Sequence, residues 1–481
     1  VIASDVIVIG SGFGGAFAAE RLTAAGARVT LLERGPWRDT PSVRAAGVGP
    51  RSPLPRGFGF FGRALRSLNL PLLPGGRLRL NAHGLFDLHL GREISVVCSS
   101  GVGGGSHVYS AMNVRPAVPD YWRERADGID TAMMDAHYDA AITRMGARIP
   151  DASVPNFIGT RLQQNPLLRP PSVESQPAMG FRFESSTFTD NSFFGCHDGS
   201  KVTLDSLLLL PALARGLQVH DLHEVALVGP VRDGWCVTAY DHRAKVYRHL
   251  TASRVVLAAG TLNTLRLLFA SRDAGALGAV PALGLGVGGN GDVPAYWRCN
   301  TADADYSRGT PCHGRFGLRD IAPGSEDDVD LTAYGLNGID GVPMPEALRR
   351  ALKRDLILVG MGADQANGLA TWTGGRLRLH YSRTANFVLA RIYRAFDRIA
   401  ARSARPVYFL RHWPLTVHPL GGARVGDDPQ QAVLDGYGQV HGVSGLYVAD
   451  AAALPAAPGA PPSMTVAAWA SHVAAGIAAQ G

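Results

Sequence analysis

The chain has little cysteine. Its five residues, Cys98, Cys196, Cys236, Cys299 and Cys312, are odd in number and widely spaced over 481 positions. That excludes a disulfide scaffold, shows no metal-ligand spacing, and leaves buried or idle thiols as the reading. Long apolar runs are missing too. The longest, Leu207 to Ala214, contains Pro211 and falls far short of the ~20 residues that cross a bilayer. No leader is read ahead of the first strand, so the expected location is the cytoplasm, peripheral to membrane if the arm described next docks there. The net charge of +7 comes with no nucleic-acid-binding motif and no long basic helix, so nucleic acid is not an expected partner. One segment lacks negative charge altogether. From Thr40 to Phe86 there are seven arginines and no Asp, Glu or Lys, interleaved with Phe58, Phe60, Phe61, Leu65, Leu68, Leu70, Leu72 and Leu73. Two readings stand: residues 50–80 touch anionic membrane or cover an apolar substrate, or their hydrophobic side packs on their own domain.

What is present begins at once. Asp5-Val-Ile-Val-Ile-Gly reads as a buried parallel strand, Gly10-Ser-Gly12-Phe-Gly-Gly15 as a tight turn, and an alanine-rich helix runs to Ala25, where Gly26 stops it. A second strand, Arg28 to Leu32, ends at Glu33. This strand–turn–helix–strand context turns a weak G-x-G-x-x-G match into a dinucleotide site. Gly10 allows the turn, Gly12 lets backbone approach a pyrophosphate, and Gly15 lets the helix pack on the strand. The helix N-terminus supplies free N–H groups to the phosphates. Glu33 is placed to accept from ribose hydroxyls and disfavours a 2′-phosphate. The motif does not choose between FAD and NAD.

Further on, Ile94 to Cys98 leads into Gly103-Gly104-Gly105-Ser106, a second glycine turn whose amides suit a phosphate or a ring edge. Residues 117–195 are mixed polar, with a helical pattern from Thr131 to Met145, and read as part of a second domain. A helix is expected over 204–214, strands at 217–219, 224–228, 235–240 and before Gly260, and a helix from Asn263 to Ser271. Gly284 to Asp292 reads as a loop, and Glu326 to Asp330 as a solvated acidic turn. Val388, Ile392, Phe396 and Ile399 form the core face of a helix. The last informative stretch holds His418-Pro-Leu-Gly-Gly, Tyr447-Val-Ala-Asp450 and Pro461-Pro462-Ser463. The closing helix that follows has an N-terminus that stabilises negative charge, such as that on a reduced flavin ring.

These motifs, in this order, resemble those of the glucose–methanol–choline (GMC) oxidoreductases, nearest the cholesterol oxidase branch, over nearly the whole chain. The resemblance implies an α/β fold: a Rossmann-like FAD-binding domain over 1–45, 91–116, 196–293 and 406–481. An α+β substrate domain with a mixed β-sheet and helices, with its lid, takes 46–90, 117–195 and 294–405. It implies a non-covalent FAD. Gly10, Gly12 and Gly15 would meet the pyrophosphate, Glu33 the ribose, and Gly103, Gly104, Gly105 and Ser106 the flavin. Val225 would meet adenine through its backbone, Asp450 the pyrophosphate or ribityl chain, and Pro462 the cofactor from the start of the last helix. His418 would be the catalytic histidine, accepting or orienting the hydroxyl proton while hydride passes from an alcohol carbon to flavin N5. The implied partners are an apolar steroid-, terpenoid- or polyketide-like alcohol and an electron acceptor, oxygen or another carrier.

The chain departs from the pattern in places. Pro461 stands where the family carries Asn or His, so a donor is missing there; Ser463, Tyr296 or His107 are the substitutes to consider. Asp355 is the candidate for the glutamate that isomerises double bonds in the cholesterol oxidases. Tyr109 replaces an asparagine beside the flavin. His107 lies one residue out of register with covalent histidyl-flavin members. Two other classes remain beside alcohol oxidation: a non-redox lyase, isomerase or hydrolase on the same scaffold, and a non-enzymatic flavoprotein that docks membrane through the arm.

Overall fold

The computed structural model describes residues 4–70, 76–157, 166–170 and 177–480. Leu72 and Leu73 of the arm, and Pro171, lie outside the described residues. The first sheet has strands in the order Gln218–His220, Val29–Leu32, Ser4–Ile9, Val246–Leu257, Gly234–Asp241 and His223–Val231, with Leu446–Val448 also pairing with Val246–Leu257. One strand carries two roles. The early part of Val246–Leu257 pairs antiparallel with Gly234–Asp241, while its last residues pair parallel with Ser4–Ile9 and Leu446–Val448. Its burial follows: the first four residues are exposed and the last three, Val255, Val256 and Leu257, are fully buried. A continuous apolar run is what a strand covered on both faces requires.

The helix Phe13–Ala24 leaves the first strand through Gly10 at φ +100°. A Cβ at Gly14 would lie 2.0 Å from the Ala449 oxygen, and one at Gly15 1.8 Å from the Gly10 oxygen. Only glycine lets this helix press onto the strands, which is the packing role expected of Gly15. The closing helix Ser463–Ala479 lies against it, and both helices bury alanines, Ala16, Ala18 and Ala19 on the first and Ala467, Ala468 and Ala470 on the last. Trp469 is fully buried, stacks on Trp122 at 5.5 Å and donates from Nε1 to the Val448 oxygen at 3.0 Å.

That stacking ties the first part of the 117–195 stretch to the first sheet. Tyr121, Trp122 and the helix Thr131–Arg144, through Met134, Tyr138 and Ala141, are buried in the same core as the first sheet. The exposed residues of this helix form a solvent face, while its buried face packs against the closing helix.

A second core lies under a six-stranded sheet ordered Val407–Phe409, Val293–Trp297, Leu356–Gly360, Leu331–Tyr334, Cys312–Leu318 and Leu168–Arg169. Every pairing in it is antiparallel. The helix Phe387–Ser403 covers it with Leu389, Ile392, Phe396 and Ile399, as the periodicity requires, and Val388 packs at its margin. The acidic turn is less solvated than expected: Asp327 pairs with Arg394 at 2.6 Å, and Asp328 with Arg169 at 2.5 Å.

A mixed five-stranded sheet contains part of the arm. Its order is Leu415–Thr416, Ser95–Ser99, Phe86–His89, Leu65–Asn69 and Arg77–Arg79. The arm is therefore part of the fold, and much of its charge is spent inside. Arg66, 2% exposed, pairs with Glu224 at 2.9 Å and Asp87 at 3.4 Å; Arg77 reaches Glu224 at 2.8 Å; Arg44 and Arg51 meet Asp39. The carboxylates that answer the arm come from outside the 40–86 stretch, which is why the stretch itself reads as uniformly basic. Among the described residues, no helix is long and apolar enough to cross a membrane.

Candidate active site

One cavity of about 570 Å³ joins the first glycine turn, the second glycine turn and the late histidine. Gly10, Gly12 and Gly14 line it, and a Cβ built at Gly12 would meet nothing within 4 Å. Gly12 is also the residue before the first helix and offers no capping side chain. The same is true of Gly260 before Thr261–Asp273 and of Pro462 before Ser463–Ala479, and both of these also line the cavity. Three uncapped helix N-termini thus open on one space. Each carries N–H groups without intrahelical partners and the positive end of a helix dipole. A ligand bearing two phosphates and a ring that gains negative charge fits this wall, and FAD is such a ligand.

Of the residues singled out in the sequence, Gly10, Gly12, Glu33, Gly104, Gly105, Val225, His418, Asp450 and Pro462 line the cavity. Gly15, Gly103 and Ser106 stand behind the wall. Gly103 adopts φ +98° to make the second turn, and the Ser106 hydroxyl donates to the Gly103 oxygen (2.7 Å) and accepts from the Leu204 N–H (3.0 Å). They shape the turn instead of touching its ligand.

Glu33 has a different task from the one expected. Its Oε2 accepts from the Ser11 N–H (3.1 Å) and hydroxyl (2.7 Å), and its Oε1 from the Gly35 N–H (2.9 Å) and Gly101 N–H (3.3 Å). A carboxylate has about four acceptor positions, and these donors fill them. Glu33 staples the two glycine turns together. The Val225 oxygen, expected to meet adenine, accepts from Arg266 Nη2 at 3.1 Å. Arg266 and Arg34 line this part of the cavity and went unseen in the sequence; Arg34 is held by Asp87 at 2.7 Å. Burial pulls the Arg266 guanidinium down to about 10, and its Nε has no partner among the described residues. Nothing local in a helix interior or at a strand end marks such arginines, because the strands that enclose them are distant in sequence.

Asp450 is 3% exposed and accepts from the Gly260 N–H (2.8 Å), the Thr264 hydroxyl (2.5 Å) and the Ala452 N–H (2.9 Å). Burial pushes its carboxyl up to about 6 against these bonds. His418 Nδ1 lies 2.8 Å from Asp292 Oδ2 and 3.0 Å from Oδ1, and its backbone N–H donates to the Thr416 hydroxyl at 2.8 Å. Asp292 also lines the cavity and was read only as the end of a loop.

The proposed stand-ins for the donor missing at Pro461 separate clearly. Pro461 and Ser463 line the cavity; Tyr296 and His107 do not. Tyr296 donates to Asp355, which also accepts from the Asn300 N–H at 2.7 Å, so Asp355 too is remote from the cavity. His107 is fully buried with Nε2 at 2.7 Å from the Val102 oxygen, behind the glycine turn, where it forms no link to a flavin. Apolar side chains also line the cavity, Met112, Phe193, Phe194, Ile357, Val359 and Met361, with Tyr109 and Tyr334.

Two predictions follow from the wall. Gly12 has ordinary helix-entry dihedrals, φ −71° and ψ −165°, so Gly12→Val should fold while its side chain occupies the pyrophosphate space. Purified Gly12→Val is expected to carry at least tenfold less flavin per chain by visible absorbance, about 1.4 kcal/mol or more in affinity. Asp450 has a folded value above its ordinary 3.8, so its contribution to stability is full below about pH 4 and is lost as pH rises through about 6. Flavin-free protein should lose up to about 3 kcal/mol over that interval relative to Asp450→Asn, measured by denaturant unfolding at several pH values.

Family models match at two places: a GMC oxidoreductase domain over residues 385–470, which contains His418, Asp450 and Pro461–Ser463, and an NAD(P)-binding Rossmann-like domain over residues 8–42. The chain is 28% identical over 98% of its length to a cholesterol oxidase of Mycobacterium tuberculosis, covering 90% of that protein. It is 23% identical over 97% of its length to a cholesterol oxidase of Acinetobacter baumannii, covering 93% of that one. A pyridoxine 4-oxidase from Mesorbium loti shares the fold, with a TM-score of 0.63 at 17% identity and 98% of each chain covered. With its glycine turns, late histidine and closing helix meeting at one cavity, the chain is similar to the GMC oxidoreductases, and these likenesses support an FAD-dependent alcohol oxidoreductase that holds its flavin non-covalently.

Proposed function

We propose that the protein oxidises the CH–OH group of an apolar alcohol, with His418 taking the hydroxyl proton. One observation carries this: the imidazole, backed by a carboxylate, lies on the same cavity as the pyrophosphate turn, and aromatic and aliphatic side chains, Met112, Phe193, Phe194, Ile357, Val359 and Met361, line that cavity too. FAD, when bound, supplies the hydride acceptor. The Asp292 carboxylate can only accept, so His418 Nδ1 carries the proton between them and Nε2 is left as a base. The C–H pair leaves the substrate as hydride, the O–H proton moves to Nε2, and a carbonyl forms. Pro461 brings no donor, and Ser463, whose hydroxyl donates to the Met112 oxygen at 3.3 Å, is the nearby hydroxyl that can turn to the substrate. The apolar wall excludes water and binds a steroid- or terpenoid-like body; the cholesterol oxidases among its relatives support that class. Asp355 does not line the cavity, which takes away the residue considered for an isomerisation step.

The arm supports a peripheral membrane contact of a particular kind. Phe58 is fully exposed and Phe61 is 69% exposed, whereas Phe60 between them is buried and lies 4.8 Å from Phe194 of the cavity wall. With many of the nearby arginines already paired, docking rests on inserting aromatic rings more than on charge. Proton transfer by His418 would serve a non-redox reaction equally well, and the missing donor at Pro461 is what favours that second reading.

Anaerobic mixing with a panel of apolar secondary and primary alcohols should bleach the flavin band, and His418→Asn should slow bleaching by about 10²–10⁴-fold while keeping its flavin. Turnover with oxygen and every other acceptor withheld would favour the non-redox reading instead. Phe58→Ser/Phe61→Ser should lower co-sedimentation with lipid vesicles by tenfold or more, with little change on adding salt; binding that persists in the double variant would remove the docking role from the arm.

A further inference from the structure

We infer that Asp292 is the positioning residue of this active site, holding His418 in the Nδ1–H tautomer so that Nε2 faces the reaction as an acceptor. This rests on the reading of His418 as the group that takes the substrate proton.

The placement of Asp292 is determined from two sides. Asp292 ends a glycine-rich loop, and its side chain is 3% exposed while that of His418 is 21% exposed. Gly288 exchanges both backbone hydrogen bonds with Leu420, each at 3.0 Å, so the loop is paired with the segment that carries His418. The Asn290 side chain donates to the Ala460 oxygen at 3.1 Å and accepts from the Gly459 N–H at 2.9 Å. The loop is thereby tied to the residues just ahead of Pro461. From behind, Asp364 accepts from the Gly289 N–H (2.8 Å) and the Tyr381 hydroxyl (2.9 Å). Asp292 itself accepts from the Thr416 hydroxyl at 2.8 Å and the Val417 N–H at 3.2 Å as well as from His418. A carboxylate with this many donors cannot rotate away, and its partner ring is fixed in plane and in tautomer. Proton transfer then needs no reorganisation of the base, and the imidazolium formed is met by a charge already in place. Asp292 does not touch the reacting atoms; it acts through His418.

The test uses the FAD-loaded protein and two kinds of readout. In ¹⁵N-histidine spectra, with the His418 signal assigned by its loss in His418→Gln, the wild type should show a protonated Nδ1 and an unprotonated Nε2. Asp292→Asn, whose amide can donate to Nδ1, should invert or mix the tautomers. It should also slow flavin reduction by substrate about 10²-fold or more with KM within about threefold. Asp292→Glu should recover at least tenfold over Asp292→Asn. In a His418→Gln background, Asp292→Asn should cost less than twofold further, because a residue acting through an absent partner has nothing left to lose. Wild-type tautomer and rate in Asp292→Asn would overturn the inference. If that variant loses its flavin, an Nε2–H tautomer in the wild-type spectrum overturns it equally. An undiminished rate in His418→Gln would instead sink the proton-acceptor reading beneath it.

Discussion

Three helices begin at one cavity with nothing of their own to cap them, and the rest of the molecule is arranged to make that tolerable. Gly12, Gly260 and Pro462 precede helices whose first N–H groups have no side-chain acceptor. In an enclosed space, orphan donors cost free energy unless an acceptor arrives. An anionic dinucleotide provides it, and so binding and local stability are coupled: the ligand completes hydrogen bonds the chain leaves open. Close approach is the second half of the constraint. Gly10, Gly14 and Gly15 bring backbone within distances that no Cβ permits.

A cluster of buried charge closes the cavity at the side of Arg34 and Arg266. Arg34, Arg66 and Arg77 share Asp87 and Glu224, and His242 adds a contact to Glu224 at 2.9 Å. The guanidinium groups around Asp87 hold its carboxyl down at about 2 despite burial. Such a network is weak evidence for net stability, since desolvation offsets much of the attraction, but removing one member would leave others buried and unpaired. Its effect is geometric. It fastens the arm to the edge of the first sheet, and with it Phe86 and Phe194, which belong to the cavity wall.

The opposite part of the cavity combines an apolar wall with a single polar device. His418 and Asp292 come from segments more than a hundred residues apart, joined by the Gly288–Leu420 bridge. Apolar walls give substrate binding without orientation; the fixed imidazole gives orientation at one atom. Together they divide the work between affinity for a body and recognition of a hydroxyl.

Local rules carried a good part of this. The first strand, turn, helix and second strand were legible because glycine positions, an apolar run and a helix stop signal all lie within thirty-five residues. The helices at 131–144 and 387–403 showed in their pattern, those at 261–273 and 463–479 in the small-residue turn and the prolines ahead of them, and His418 in its Pro-Leu-Gly-Gly context. Local pattern failed where partners are distant. The arm looked like a basic surface because Asp87 and Glu224 lie beyond it; Glu33 looked free to hold a ribose because Ser11, Gly35 and Gly101 are brought to it by folding; and the loop ending in Asp292 carried no periodicity at all. What the chain determined by itself is the set of elements and the chemistry of its ligand. Which carboxylate stands behind the histidine, and which arginines face inward, was decided only by tertiary structure, because hydrogen-bond partnership depends on distances in space that sequence separation does not measure.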